Sequence, residues 1–198
     1  MAKRKTLVVS AAITLIILLI STCAYFLFLK SPFDYYLDIV EDLNSDVTKT
    51  EVRSWFERDY TYTELVEWVN DTLIFDPTYN DPERQWRTDP SVIKEIGRGQ
   101  CGEFSILYVS ACLAHGYDSR LVLAVNVSNP DILTVLHAWA EVKMCGWIHV
   151  DPAGVAWNDR YRYERCETGD WGKEIGSSVK IYSIDDGVCE EVTSSYLS

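Results

Sequence analysis

The sequence predicts an α+β fold in which one apolar helix packs on an antiparallel sheet. Helical segments fill the first part of the chain, an apolar helix begins at Cys101, and three strand-like segments follow between Ser119 and Asp151. Helices that precede strands, rather than alternating with them, are typical of α+β domains. An apolar segment over residues 6–29 comes before this domain.

The apolar segment predicts a single membrane span. Residues 6–29 carry no charge, and roughly 20 apolar residues suffice to cross a bilayer as a helix. Lys3, Arg4 and Lys5 precede the segment, so the positive-inside rule places the N-terminus in the cytoplasm and the domain outside. A cleavable signal peptide is the alternative, but the apolar region is longer than such peptides carry. The predicted organisation is a cytoplasmic N-terminus (1–5), a transmembrane helix (6–29), a juxtamembrane helix (30–46) and a catalytic domain (47–198).

Charge and cysteine content limit the partners. The formal net charge is −12, which argues against nucleic acid and against electrostatic binding to anionic lipid. No C-x-x-C pair occurs, so neither a zinc site nor another cofactor is predicted. In an oxidising compartment two of Cys145, Cys166 and Cys189 could form a disulfide, and the sequence does not decide which two.

N-capping patterns mark the starts of four short helices before the cysteine. These patterns are Ser31-Pro32, Thr48-x-x-Glu51, Thr61-x-x-Glu64 and Asp89-Pro90. Gly97 ends the last of these helices. The polar residues 76–89 form a loop that is long enough to border a site.

Cys101 begins the apolar helix. Phe104, Leu107 and Ala111 recur at helical spacing, and Gly116 is placed to end the helix in a left-handed conformation. The positive end of a helix favours the thiolate form of a cysteine located there. A small buried residue is the alternative interpretation of a single cysteine.

Three strands are predicted after this helix, over residues 119–127, 135–144 and 147–151. A three-residue loop between the last two, with Gly146 left-handed, pairs Lys143 with Trp147. In that register Asp151 is a diagonal neighbour of His137 on the same face of the sheet. A two-residue loop would turn Asp151 to the other face.

These positions supply the groups of a cysteine-dependent enzyme. A thiol nucleophile needs a base that takes its proton and a third group that orients the base. We predict Cys101 as the nucleophile, His137 as the general acid/base and Asp151 as the orienting carboxylate. A half-buried strand histidine and a turn residue before Pro152 are the alternatives, but the joint occurrence of all three groups favours catalysis. His149 is a competing base, farther along the hairpin.

Three blocks of sequence carry a family resemblance. They are Gln100-Cys101-Gly102-Glu103-Phe104, His137-Ala138-Trp139-Ala140-Glu141 and Trp147-Ile148-His149-Val150-Asp151-Pro152. The blocks resemble the catalytic blocks of the transglutaminase-like superfamily, whose Cys-His-Asp triad lies on a papain-like α+β core. Within it the sequence is similar to peptide:N-glycanase, the amidase that removes N-linked glycans from asparagine. The resemblance covers roughly residues 51–196.

The resemblance implies the same three catalytic residues and four more. It implies Arg120, Trp139 and Glu141 as supporting or substrate-lining residues, and Trp68 as a tryptophan beside the oxyanion, with packing as its alternative role. The implied activity is a thiol amidohydrolase that acts through a cysteine acyl-enzyme on a protein, glycoprotein or peptide, with asparagine-linked glycan as the expected leaving group. Acyl transfer to an amine, hydrolysis of a peptide or cell-wall amide, and a non-catalytic binding domain are the alternatives.

Two features depart from the glycanase pattern. The glycanase carries paired C-x-x-C zinc motifs before its nucleophile, whereas residues 76–99 contain no cysteine. Familiar glycanases are soluble, whereas this chain is predicted to be anchored. Both departures concern the substrate more than the chemistry, because the zinc module is not part of the triad.

Overall fold

The computed structural model confirms an α+β fold, and it describes residues 34–76, 89–128, 134–154, 176–185 and 188–196. The helices in these residues are α1 Asp34–Asn44, α2 Asp46–Arg53, α3 Tyr62–Thr72, α4 Pro90–Ile96 and α5 Cys101–Ala114. The strands are β1 Ile74–Phe75, β2 Arg98–Gly99, β3 Ser119–Asn126, β4 Thr134–Lys143, β5 Trp147–Val150, β6 Val179–Asp185 and β7 Val188–Glu191. Short 3-10 turns cover Pro152–Gly154 and Thr193–Tyr196.

Some predicted features lie outside the described residues. The predicted membrane span over residues 6–29, most of the loop over residues 76–89, and Cys166 are among them. Of the helices that the structure describes, none has the length and apolar character needed to cross a bilayer.

The main sheet is antiparallel and has the strand order β5-β4-β3-β6-β7. The three predicted strands form β3, β4 and β5, in agreement with the sequence. Strands β6 and β7 were not predicted, and they extend the sheet on the other side of β3, where Leu123 pairs with Tyr182. A separate parallel pair joins β1 to β2, with Ile74 opposite Arg98. Strands of two residues are too short to show a period-2 pattern.

The helix caps agree with the sequence at Thr61, Asp89, Gly97 and Gly116 and differ at Thr48. Thr61 forms the predicted capping box with Glu64, and Gly97 ends α4 in a left-handed conformation with φ 68°. The helix predicted to begin at Thr48 begins at Asp46 instead, because Ser45 is the N-cap and its hydroxyl oxygen accepts from the Thr48 N–H. A capping hydroxyl three residues earlier therefore moves the helix start upstream.

The hairpin between β4 and β5 has the predicted register, with Lys143 opposite Trp147 and Glu141 opposite His149. The prediction of a left-handed Gly146 is wrong, since Gly146 is not among the positive-φ glycines. The Gly146 carbonyl instead accepts a hydrogen bond from the Met144 N–H at 2.9 Å, which closes the loop without that conformation.

The cysteine helix α5 is the centre of the fold. All its residues from Gly102 to Cys112 are buried. On the sheet side the Cys112 thiol interacts with Ser119 at the start of β3. On the helical side the Tyr108 hydroxyl donates to the Tyr62 carbonyl of α3 at 3.0 Å. A helix that is covered on all sides is apolar around its whole circumference, and its N-terminal residue has a fixed position.

Candidate active site

The segment that leads into Cys101 is held by backbone hydrogen bonds. The Ile74 N–H donates to the Gly97 carbonyl at 2.9 Å, and the Asp76 N–H donates to the Gly99 carbonyl at 3.0 Å. Cys101 follows as the first residue of α5 and is partly exposed. The thiol is therefore accessible while its backbone is fixed.

A buried carboxylate shapes the same turn. Glu103 is 1% exposed, and its Oε2 accepts a hydrogen bond from the Gln100 N–H at 3.0 Å. A Cβ atom on Gly99 would lie 2.5 Å from the Glu103 Cβ, so only glycine fits there. The sequence interpretation assigned no role to Glu103, although the spacing Gln100-x-x-Glu103 carries the acidic half of a capping box and could have indicated it.

The predicted base and the predicted orienting carboxylate are in contact. His137 Nε2 lies 2.8 Å from Asp151 Oδ2, and the two side chains are 12% and 4% exposed. The Cys101 thiol is also hydrogen-bonded to the His137 side chain. Since Nε2 is occupied by Asp151, Nδ1 is the ring nitrogen that remains available to the thiol. The structure thus brings the three predicted residues together, in the order thiol, imidazole and carboxylate.

The charge state of His137 follows from these contacts. Burial lowers its pKa, but the hydrogen bonds to Asp151 and Cys101 outweigh burial and raise the pKa from 6.5 to about 9. The imidazole is then protonated at neutral pH. An imidazolium beside a thiol at a helix N-terminus stabilises the thiolate, and it can also supply a proton to a leaving group.

Three further predicted residues lie on the same sheet. Both Nε and Nη2 of Arg120 donate to Glu141 Oε2, at 2.9 Å and 2.7 Å. Trp139 is fully buried, and its ring centroid lies 5.8 Å from that of His137. The competing base His149 also packs against Trp139, at 5.3 Å between centroids. Trp139 therefore lies beside both histidines.

Trp68 lies in a different environment. Its ring packs against Phe56 at 4.6 Å and against Trp55 at 6.2 Å between centroids. Phe56 in turn contacts His115, which follows the C-terminal end of α5. Cys101 is at the other end of this helix, so these contacts give Trp68 a packing role in the helical layer. Its participation at the oxyanion stays a prediction.

The other described cysteines are free thiols. Burial raises the pKa of Cys112 to about 12, which keeps that thiol protonated and unreactive. Cys145 is exposed in the β4–β5 loop, and Cys189 is half-buried in β7. Across the described ranges, no group of three or more His, Cys, Asp or Glu side chains is arranged to hold a metal ion.

Comparison with known proteins places this site in a family. Residues 44–152 match the family model of the transglutaminase-like superfamily, and this range contains Cys101, His137 and Asp151. Peptide-N(4)-(N-acetyl-beta-glucosaminyl)asparagine amidase of Arabidopsis thaliana is 30% identical over 123 residues, which are 61% of this chain and 14% of that protein. The protein of the same name from Yarrowia lipolytica is 30% identical over 143 residues, which are 70% of this chain and 33% of that protein. The chain thus spans a third or less of the length of these relatives.

A solved structure shares the fold. The chain resembles Rad4-Rad23 crosslinked to an undamaged DNA with a TM-score of 0.53 and 15% identity, over 79% of this chain and 44% of that chain. At this identity the likeness shows the fold alone.

The close approach of Gly99 to Glu103 predicts the effect of Gly99→Ala. The added methyl group must displace the turn before Cys101, and overpacking of this kind costs about 1–3 kcal/mol. We expect slower alkylation of Cys101 by iodoacetamide and a lower free energy of unfolding in urea. Gly146→Ala is the control, because nothing lies within 4 Å of a Cβ atom there. Equal alkylation rates in the two variants would contradict the prediction.

The raised pKa of His137 predicts a pH dependence of stability. The folded pKa of about 9 lies above the ordinary value of 6.5, so the stabilisation is complete below the lower value and is lost as pH rises through the higher one. Across this window the free energy of unfolding should fall by up to about 3 kcal/mol. In Asp151→Asn the fall should be smaller, because the carboxylate that raises the pKa is absent. Urea unfolding at several pH values measures the free energy of unfolding of both proteins. If it fell equally with rising pH in the parent and in Asp151→Asn, this explanation would be refuted.

Proposed function

Because the chain belongs to the transglutaminase-like superfamily, we propose that it is a cysteine-dependent amidohydrolase with Cys101, His137 and Asp151 as its catalytic residues. The observation that carries the proposal is the contact of His137 with both partners: Nε2 lies 2.8 Å from Asp151 Oδ2, and the side chain is hydrogen-bonded to the Cys101 thiol. Neither contact requires a rearrangement before substrate binds.

The reaction proceeds in two steps. The Cys101 thiolate attacks the carbonyl carbon of an amide, the C–N bond breaks, and the His137 imidazolium donates its proton to the departing amine. An acyl-enzyme thioester remains. A water molecule then attacks the thioester while neutral His137 takes one of its protons, which releases a carboxylic acid and regenerates the Cys101 thiolate beside the His137 imidazolium. Throughout, Asp151 keeps the imidazole oriented and stabilises its charged form.

The proposed substrate is the amide between an asparagine side chain and an N-linked glycan on a protein or peptide. The names of the relatives from Arabidopsis thaliana and Yarrowia lipolytica support this choice. Cleavage would convert the asparagine to aspartate and release the glycan as a glycosylamine. Arg120, Trp139 and Glu141 are proposed as supporting residues, because Trp139 and Glu141 are buried. A place beside the oxyanion is still proposed for Trp68 from the resemblance alone.

We also propose that the protein is anchored by residues 6–29, with the N-terminus in the cytoplasm and the catalytic domain on the other side of the membrane. The uncharged apolar segment and the basic residues Lys3, Arg4 and Lys5 support this topology. The net charge of −12 does not favour attraction to anionic lipid, so the apolar segment is the feature that would hold the domain at the membrane.

Replacement of the nucleophile tests the activity. With a glycopeptide as substrate, Cys101→Ala should reduce glycan release by about 10⁴-fold or more, because the covalent step is removed. Cys145→Ala is the matched control, since that thiol is exposed in a loop, and it should keep the parent rate. Mass spectrometry of the peptide should show asparagine converted to aspartate.

The same assay separates the alternatives. Two results without glycan release would contradict the proposed substrate but not the cysteine chemistry. One is incorporation of a primary amine into a glutaminyl peptide, and the other is release of amine from an unglycosylated or cell-wall peptide. Equal turnover by the parent and Cys101→Ala would overturn the proposed mechanism.

Membrane insertion tests the topology. The full chain, synthesised with sealed microsomes, should remain in the membrane pellet after alkaline carbonate extraction, and its domain should resist added protease until detergent is present. Substitution of Lys3, Arg4 and Lys5 by glutamate should weaken this orientation. Recovery of the parent chain in the carbonate supernatant would contradict the anchor.

A further inference from the structure

The C-terminal turn Thr193–Tyr196 brings a tyrosine to the tryptophan beside His137. Tyr196 is 5% exposed, and its ring meets that of Trp139 edge to face, at 5.6 Å between centroids. The turn is fastened to the sheet because the Thr193 hydroxyl oxygen accepts from the Ile181 N–H of β6 at 3.0 Å. The tyrosine hydroxyl therefore has a defined position.

This hydroxyl connects two buried groups. The Trp139 Nε1–H donates to the Tyr196 hydroxyl oxygen at 3.3 Å, and the hydroxyl donates to Glu141 Oε1. An indole N–H can only donate and a carboxylate can only accept, so the group between them must do both. A phenylalanine ring at position 196 would fill the same space but would deprive both groups of this partner.

The carboxylate that receives the hydroxyl proton is itself fixed. Glu141 is 1% exposed, and its other oxygen accepts two hydrogen bonds from the Arg120 guanidinium. That guanidinium lies over the Trp147 ring, 4.0 Å from its centroid. Arg120 balances the buried charge, and the resulting arrangement keeps the Tyr196 hydroxyl pointing at Glu141.

Trp139 packs beside the proposed base, His137. Trp139 and His137 are two residues apart on β4, so their side chains share a face of the sheet. Their ring planes are inclined by 30°. The hydrogen bond to Asp151 fixes one atom of the imidazole, and the neighbouring indole restricts rotation of the ring about that bond.

We propose that Tyr196 is a positioning residue, whose hydroxyl fixes the indole of Trp139 and thereby the orientation of His137 toward Cys101. The inference rests on the proposed function of the three catalytic residues. It assigns part of the active-site geometry to a residue that follows the nucleophile by almost a hundred positions.

The test is the pH profile of the rate at which iodoacetamide alkylates Cys101 in the full chain. Mass spectrometry of the peptide that contains Cys101 measures this rate. In Tyr196→Phe, alkylation at about pH 6 should slow by about three- to tenfold, because a buried hydrogen bond is lost, and the acid limb should move to higher pH. Tyr117→Phe is the matched control: its hydroxyl donates to the Tyr60 carbonyl, away from the catalytic residues, and it should keep the parent profile.

The exposed thiol of Cys145 in the same samples distinguishes the two possible failures. Parent Cys101 that reacts no faster than Cys145 would overturn the proposed catalytic pair, and the role of Tyr196 with it. Fast parent alkylation that Tyr196→Phe leaves unchanged would overturn the role of Tyr196 alone.

A double-mutant cycle tests whether Trp139 is the connection. Trp139→Phe keeps an aromatic ring but lacks the N–H that donates a hydrogen bond to the Tyr196 hydroxyl oxygen. If Tyr196 acts through Trp139, adding Tyr196→Phe to this variant should slow Cys101 alkylation by less than about twofold more. If the double variant slowed alkylation by the product of the two single-variant factors, the residues would act independently, and the proposed connection would be refuted.

Discussion

The site depends on one hydrogen bond, between His137 Nε2 and Asp151 Oδ2 at 2.8 Å. It joins β4 to the residue that follows β5, and the low exposure of both side chains limits screening by water. The bond leaves Nδ1 available to Cys101 and contributes to the raised pKa of His137. It exists because the hairpin pairs Lys143 with Trp147. A register shift of one residue would turn Asp151 to the opposite face of the sheet.

Cys101 reaches this pair from a separately stabilised part of the molecule. Helix α5 is buried along almost its whole length, so it cannot rotate or slide without disturbing the sheet and the helical layer. The turn before it is held by the β1–β2 pair and by the Glu103 carboxylate. The thiol and the imidazole are therefore each held in place by a separate element, which lowers the entropic cost of aligning the two groups.

The charges beneath the site have a geometric role. A buried ion pair such as Arg120–Glu141 is weak evidence for stability, because desolvation offsets the attraction between the charges. Here the pair holds Glu141 in the position where it accepts a hydrogen bond from Tyr196.

Trp68 has a packing role in the helical layer. Its contacts are with Trp55 and Phe56, so its aromatic surface consolidates the helices that cover α5.

The sequence by itself determined the α+β order, the start of α5 at Cys101, the capping box at Thr61 and the β4–β5 register. Capping, periodicity and loop length each depend on residues only a few positions apart. The tertiary structure alone decided the addition of β6 and β7, the close approach of Gly99 to Glu103 and the contact of Tyr196 with Trp139, which is 57 residues distant. Such contacts depend on where the chain returns in space, which local patterns do not encode. The family resemblance predicted supporting or substrate-lining roles for Arg120 and Glu141, and only the packed sheet shows that the two side chains form an ion pair.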